Sequence, residues 1–116
     1  MLSEDMLEKY LKAGRIAAET RRKISKRIEE GTLILQICEE AENTIRALGG
    51  EPAFPCNVCV NDVAAHYSSP PNDLSKLPNK AVVKIDLGVH VDGYIADTAF
   101  TIHLDPQYDA MIHTVN

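Results

Sequence analysis

Asp86 and Asp97 are the two side chains of this 116-residue sequence whose types and spacing point most directly to chemistry. A pair of carboxylates held side by side must be solvated, share a proton or bind a cation, because uncompensated like charges are costly to desolvate. The two residues flank Asp92-Gly93, which lies between apolar-rich runs. Asp-Gly in that setting is a strong short-range signal for a two-residue type I′ turn, since both central positions take positive φ. The turn sets a register in which Val91 faces Tyr94, Gly88 lies opposite Asp97 and Asp86 lies opposite Ala99. Asp86 and Asp97 are then diagonal neighbours, with roughly 7 to 8 Å between backbones, and their side chains can converge.

Alternation leads to the same arrangement, because strand side chains point to opposite faces with period two. One face collects Val83, Ile85, Leu87, Val89, Val91, Tyr94, Ala96, Thr98, Phe100 and Ile102. The other carries Lys84, Asp86, His90, Asp97, Thr101 and His103. The first reads as core and the second as working surface, where His90 and His103 are further potential donors. The bland alternative is an ordinary wet face, which antiparallel sheets commonly leave. Cys56 and Cys59 form a C-x-x-C pair, but a four-ligand zinc site needs a second pair that Cys38 alone cannot supply. No helix start near Cys56 lowers a thiol pKa either. They read as two small, half-buried strand cysteines.

Composition bounds the rest: 45% hydrophobic and 25% charged residues fit one globular domain, and the formal net charge of -5 offers no general attraction to nucleic acid or to an anionic membrane. The basic cluster Arg21, Arg22, Lys23, Lys26 and Arg27 is flanked by Glu19, Glu29 and Glu30 and reads as a solvated helix face. No apolar run approaches the roughly 18 residues of a membrane span, and the first residues are too charged for a signal peptide. An odd cysteine count fits a reduced compartment, so the expectation is a cytoplasmic protein.

The elements that must position the carboxylates are read as follows. Helical spacing of Tyr10, Ala13, Ala17, Ile24 and Ile28, with Ser3 as N-cap, predicts a helix over about 3–30. Thr32 then caps a second over about 32–48, with Ile34, Ile37, Cys38, Ala41, Ile45 and Leu48 on one face and Gly49-Gly50 as a left-handed exit. Extended structure is expected over about 51–67, 81–91 and 94–104, with a proline-rich loop over 68–79. Asp105-Pro106 opens a third helix from 106 that Asn116 leaves unfinished. The reading is a fragment of a larger protein or one half of a split one, the alternative being a short native C-terminal helix that docks on the sheet.

Asp86-x-Gly88, Gly93-Tyr94 and Asp97-Thr98 together resemble the first metal-ligand hairpin of the pita-bread metallopeptidases, among them methionine aminopeptidases, prolidases and aminopeptidase P. Gly49-Gly50-Glu51-Pro52-Ala53-Phe54-Pro55, then Asn61, then Ala64-Ala65-His66-Tyr67, resembles type II methionine aminopeptidases, particularly archaeal forms. The leading helices are similar too, so the likeness covers essentially the whole chain. It implies an α+β fold, half of a pita-bread (creatinase/aminopeptidase) architecture. It also implies removal of the initiator methionine from nascent polypeptides whose next residue is small, by a water shared between two divalent ions (Co, Mn, Fe or Zn). In that family the ions are held by two Asp, one His and two Glu. By the resemblance Asp86 chelates one metal, Asp97 bridges both, His66 is the catalytic and substrate-binding histidine beside the scissile amide, and Phe54 is an aromatic wall of the methionine pocket. Asn61, read on its own, fixes backbone through side-chain hydrogen bonds.

The sequence departs from the family in lacking the second half, with its His and two Glu; His90, His103 and His113 do not match them. The chain alone is therefore expected to bind metal weakly or not at all, to turn over no peptide, and to associate with a C-terminal half or with itself through exposed apolar surface. The alternatives are a non-catalytic pita-bread module binding protein or peptide, whose members typically lack the aspartates, and a prolidase or X-Pro aminopeptidase, which the Phe54 to His66 segment disfavours.

Overall fold

The structure is a computed structural model that describes residues 3–61 and 75–104. Two helices precede a three-stranded antiparallel sheet: α1 (Glu4–Ser25), α2 (Ile34–Ala47), β1 (Glu51–Val60), β2 (Val82–Val91) and β3 (Tyr94–His103), in the spatial order β1-β2-β3. This is the α+β arrangement expected. The expected strand beyond residue 61, His66, most of the proline-rich loop and the helix expected from 106 lie outside the described residues.

α1 starts where its cap chemistry dictates, with the Ser3 side chain accepting from the Met6 amide and Glu4 and Asp5 in the first turn. It ends at Ser25, five residues before the expected 30. The backbone of 29–34 finds other partners: Gly31 N–H donates to Leu77 O, Leu77 N–H to Thr32 O and Ile34 N–H to Ser75 O. Tertiary hydrogen bonds to the 75–77 segment outcompete another turn of helix, and Gly31 at φ +85° supplies the bend. They also displace Thr32 from the capping role expected of it. Leu33 is the N-cap of α2, without a side-chain bond, and Thr32 Oγ1 accepts from the Glu29 amide instead. The α2 exit is as expected: Gly49 at φ +98° lets Gly50 N–H reach Ile45 O and Gly49 N–H reach Arg46 O, a Schellman closure.

One helix stripe and one sheet face make the core. Ala13, Ile16, Ala17, Thr20 and Ile24 of α1, and Ile34, Ile37, Cys38, Ala41 and Ile45 of α2, are buried. They meet Val83, Ile85, Leu87 and Val89 of the central strand, with α1 over β2 and β3 and α2 over β1. Tyr10 and Leu48, expected in these stripes, are 40% and 39% exposed. Leu48 is the C-cap residue, past the last full turn, and Tyr10 packs edge-on against Tyr94 with ring centroids 4.9 Å apart. Asn61 ends β1 at φ +55°, its N–H donating to Val82 O and its Oδ1 accepting from Val82 N–H. That is the backbone-fixing role read for it.

Candidate metal centre

The hairpin has the register that its turn chemistry predicts. Asp92 and Gly93 lie at φ +50° and +87°, and Val91 pairs with Tyr94, Gly88 with Asp97 and Asp86 with Ala99. Leu104 N–H donates to Ala81 O. Hydrogen-bonded pairs alternate along an antiparallel ladder, so Gly88/Asp97 and Asp86/Ala99 are both non-hydrogen-bonded pairs, the class with side chains closer together. Asp86 and Asp97 therefore share one face, diagonal to each other. Asp86 is half-buried on the central strand and Asp97 exposed on β3.

The face opposite the helices also receives β1. Asn57 pairs with Asp86, and Phe54 with Gly88. Two register slips, between Pro52 and Phe54 and between Phe54 and Asn57, break the alternation of β1. Counting back by twos from the core residues Val58 and Cys56 would put residue 54 in the core, but the bulges turn it to the carboxylate face. β1 is an edge strand of this sheet, the place where prolines such as Pro52 and Pro55 are tolerated. A Cβ on Gly88 would fall 2.7 Å from Phe54 Cδ1, 2.9 Å from Cζ and closer still to Cε1. The Phe54 ring thus lies directly on the bare backbone of Gly88, in the row Phe54–Gly88–Asp97. The sequence reading left this relation out, although an isolated glycine inside a strand pattern signals close approach of another group.

The other candidates separate. His90 shares the face, but its Nδ1 accepts from the Gly93 amide at 3.3 Å, so the ring serves the turn. His103 is half-buried at the far end of β3. Cys56 is buried in the core, while Cys59, paired with Lys84, points to the other face. A strand therefore divides the C-x-x-C pair between two faces, which rules out a shared ion. The Cys56 pKa is pushed far above the ordinary thiol range, first by a hydrogen bond with the Cys38 thiol and then by burial. His66 lies outside the described residues. A concavity of about 420 Å³ between the 26–33 turn and α2, lined by Arg27, Thr32, Gln36 and Glu40, includes neither Asp86 nor Asp97.

Among the described residues no group of three or more His, Cys, Asp or Glu side chains could hold a metal. The donor chemistry present nonetheless fits one. Two carboxylates on a common face offer oxygen ligands to a divalent cation, and a carboxylate can bridge two such ions. Two carboxylates alone would make only part of a ligand set.

The sequence profile of metallopeptidase family M24 matches residues 8–116. The methionine aminopeptidase of Methanocaldococcus jannaschii is 50% identical over 105 residues, 90% of this chain and 36% of that protein. That of Saccharolobus solfataricus is 47% identical over 111 residues, 96% of this chain and 37% of that protein. Among solved structures, a methionine aminopeptidase from Thermotoga maritima superimposes with a TM-score of 0.79 at 23% identity, covering 89% of this chain and 44% of that one. Proline aminopeptidase P II from Yersinia pestis gives 0.79 at 21% identity, covering 90% and 24%. At that identity both are likenesses of fold. The chain spans about a third of the length of the first two relatives.

Proposed function

This chain belongs to metallopeptidase family M24, and from that premise we propose that it supplies the first ligand hairpin of a methionine aminopeptidase acting on N-terminal Met followed by a small residue in nascent polypeptides. The observation that supports the reading is the hairpin register, which puts Asp86 and Asp97 on one face as diagonal neighbours, in a sequence 50% identical over 105 residues to a methionine aminopeptidase. Asp86 would chelate one divalent ion and Asp97 bridge two, of Co, Mn, Fe or Zn. Bound there, such ions supply a nucleophile at neutral pH and polarise a scissile carbonyl. Phe54, on the same face, would form an apolar wall beside the methionine side chain. His66 would hydrogen-bond the substrate next to the scissile amide and steady the charge that develops there. Two aspartates kept on one face argue against a non-catalytic binding module. No helix among the described residues is long and apolar enough to cross a membrane, and the cytoplasm, where nascent chains emerge, is the compartment proposed.

Manganese titration of the 116-residue chain tests the assignment. Weak binding is expected, reduced further by Asp86→Asn or Asp97→Asn and unchanged by His90→Ala. Hydrolysis of a methionyl peptide is expected to be undetectable, because two carboxylates leave two ions short of donors. Equal manganese affinity in wild type and both aspartate variants would remove the metal assignment. Turnover by the chain alone would show that it holds the remaining donors itself.

A further inference from the structure

The contact between Phe54 and Gly88 is unusual in its demands. An edge-strand aromatic has been turned away from the core by two bulges flanked by prolines, and it comes to rest on the one position of β2 that has no side chain. Neighbouring positions of β2 on this face, Asp86 and His90, carry large side chains, so the ring has a single seat. That seat is directly opposite Asp97, in the close-approach class of strand pair. The glycine is not there for turn geometry: it is not among the residues of positive φ, and alanine would suit the backbone of a central strand better than glycine does. What alanine would not suit is the ring, which would have to move by about an ångström or more to reach ordinary van der Waals contact with the new methyl.

We propose that Gly88 is a positioning residue of the carboxylate site: its bare backbone seats the Phe54 ring beside Asp97 and thereby sets where the apolar wall of the site stands. The inference deepens the metallopeptidase reading: the seating of the ring stands on the geometry alone, while the divalent cation as a probe and the ring's role as a wall for substrate rest on that reading. Its consequence for substrate is that the width left for an apolar N-terminal side chain is governed from β2, by a residue that never touches the substrate.

The chain contains only two phenylalanines, which makes the test direct. In protein labelled with 4-fluorophenylalanine, Phe54 gives one fluorine resonance and Phe100, 6% exposed in the core, gives the other as an internal reporter of folding. Added Mn²⁺ is expected to broaden the Phe54 resonance severalfold more than that of Phe100, and Asp97→Asn to abolish the difference. Gly88→Ala is expected to shift the Phe54 resonance and cut its broadening severalfold, because relaxation enhancement falls with the inverse sixth power of distance, while Phe100 stays in place. A folded Gly88→Ala protein with unchanged Phe54 shift and broadening overturns the proposal. Should Gly88→Ala unfold the chain, Gly88→Ala combined with Phe54→Ala must restore folding, since the clash is with the ring; failure to restore it also overturns the proposal. If Mn²⁺ broadens neither resonance in the wild type, the metal reading fails, and the shift and the double variant still decide the seat.

Discussion

Thr20 is fully buried on the core stripe of α1, at 0% exposure, and its Oγ1 has no hydrogen-bond partner among the described residues. A hydroxyl buried without a partner costs about 1–3 kcal/mol relative to one that is paired or solvated. Thr20→Val keeps the branched shape, replaces the orphan oxygen with a methyl and leaves helix propensity almost unchanged, since the two residues rank together. The expected effect is a stabilisation of about 1–2 kcal/mol, the recovered desolvation cost plus a small gain in apolar burial. In urea, with a slope of about 2 kcal/mol per molar for a small protein, this moves the midpoint up by roughly 0.5–1 M with no change in slope. In a thermal melt it corresponds to a rise of about 4 °C per kcal/mol at this size. Thr20→Ser is the control: it keeps the hydroxyl, removes the methyl and opens a small void, so it should lower stability by about 1 kcal/mol. A lower urea midpoint for Thr20→Val would refute the reasoning, because it would mean that the hydroxyl is satisfied in solution, for instance by a trapped water.

Two further outcomes follow from the same structure. Lys9 Nζ lies 3.1 Å from Asp5 Oδ2 and 3.3 Å from Asp92 Oδ2, and these bonds, Asp5 first, raise its pKa above 10.5. A raised folded-state value means a contribution to stability that is whole below pH 10.5 and lost as pH climbs through the folded pKa; melting temperature in that alkaline window should therefore fall more steeply for wild type than for Lys9→Met, and parallel profiles would remove the clamp. Of the three cysteines, Cys38 and Cys56 are buried and Cys59 only partly, so an aromatic disulfide reagent should titrate one thiol quickly in native protein and three in guanidinium. Cys59→Ser should abolish the fast phase, and two fast thiols would contradict the burial of Cys56.

How much of this was legible in the sequence depends on how local the deciding interactions are. The hairpin was legible in full, because Asp92-Gly93 fixes a tight turn and strict alternation carries the register outward from it; both signals sit within the residues concerned. Asp86 and Asp97 inherit their common face from that register. The Schellman exit at Gly49-Gly50 and the Ser3 cap are local in the same sense. The end of α1 was not legible: residues 29–34 leave the helix to bond with 75–77, a partner distant in sequence that propensity takes no account of. Thr32 lost its capping role for the same reason. Phe54 was harder still. Its likeness to a pocket residue named it, but only the two bulges of β1 decide its face, and simple alternation would have buried it.

This division has a physical meaning for the site. The carboxylate pair is built on adjacent strands joined by a two-residue turn, the shortest connection available, so the relative placement of Asp86 and Asp97 depends on little beyond the hairpin itself. The Phe54 ring depends on an edge strand held to β2 through an irregular register, tied at one end by Asn61 to Val82 and braced from behind by Glu42, whose Oε2 accepts from the Cys56 amide at 3.2 Å. Carboxylate geometry is thus set locally and the position of the ring by tertiary contacts. Changes in β1 or α2 can therefore move the ring while the carboxylates stay in place, and Gly88, the residue where the two parts touch, is where the two geometries are brought into register.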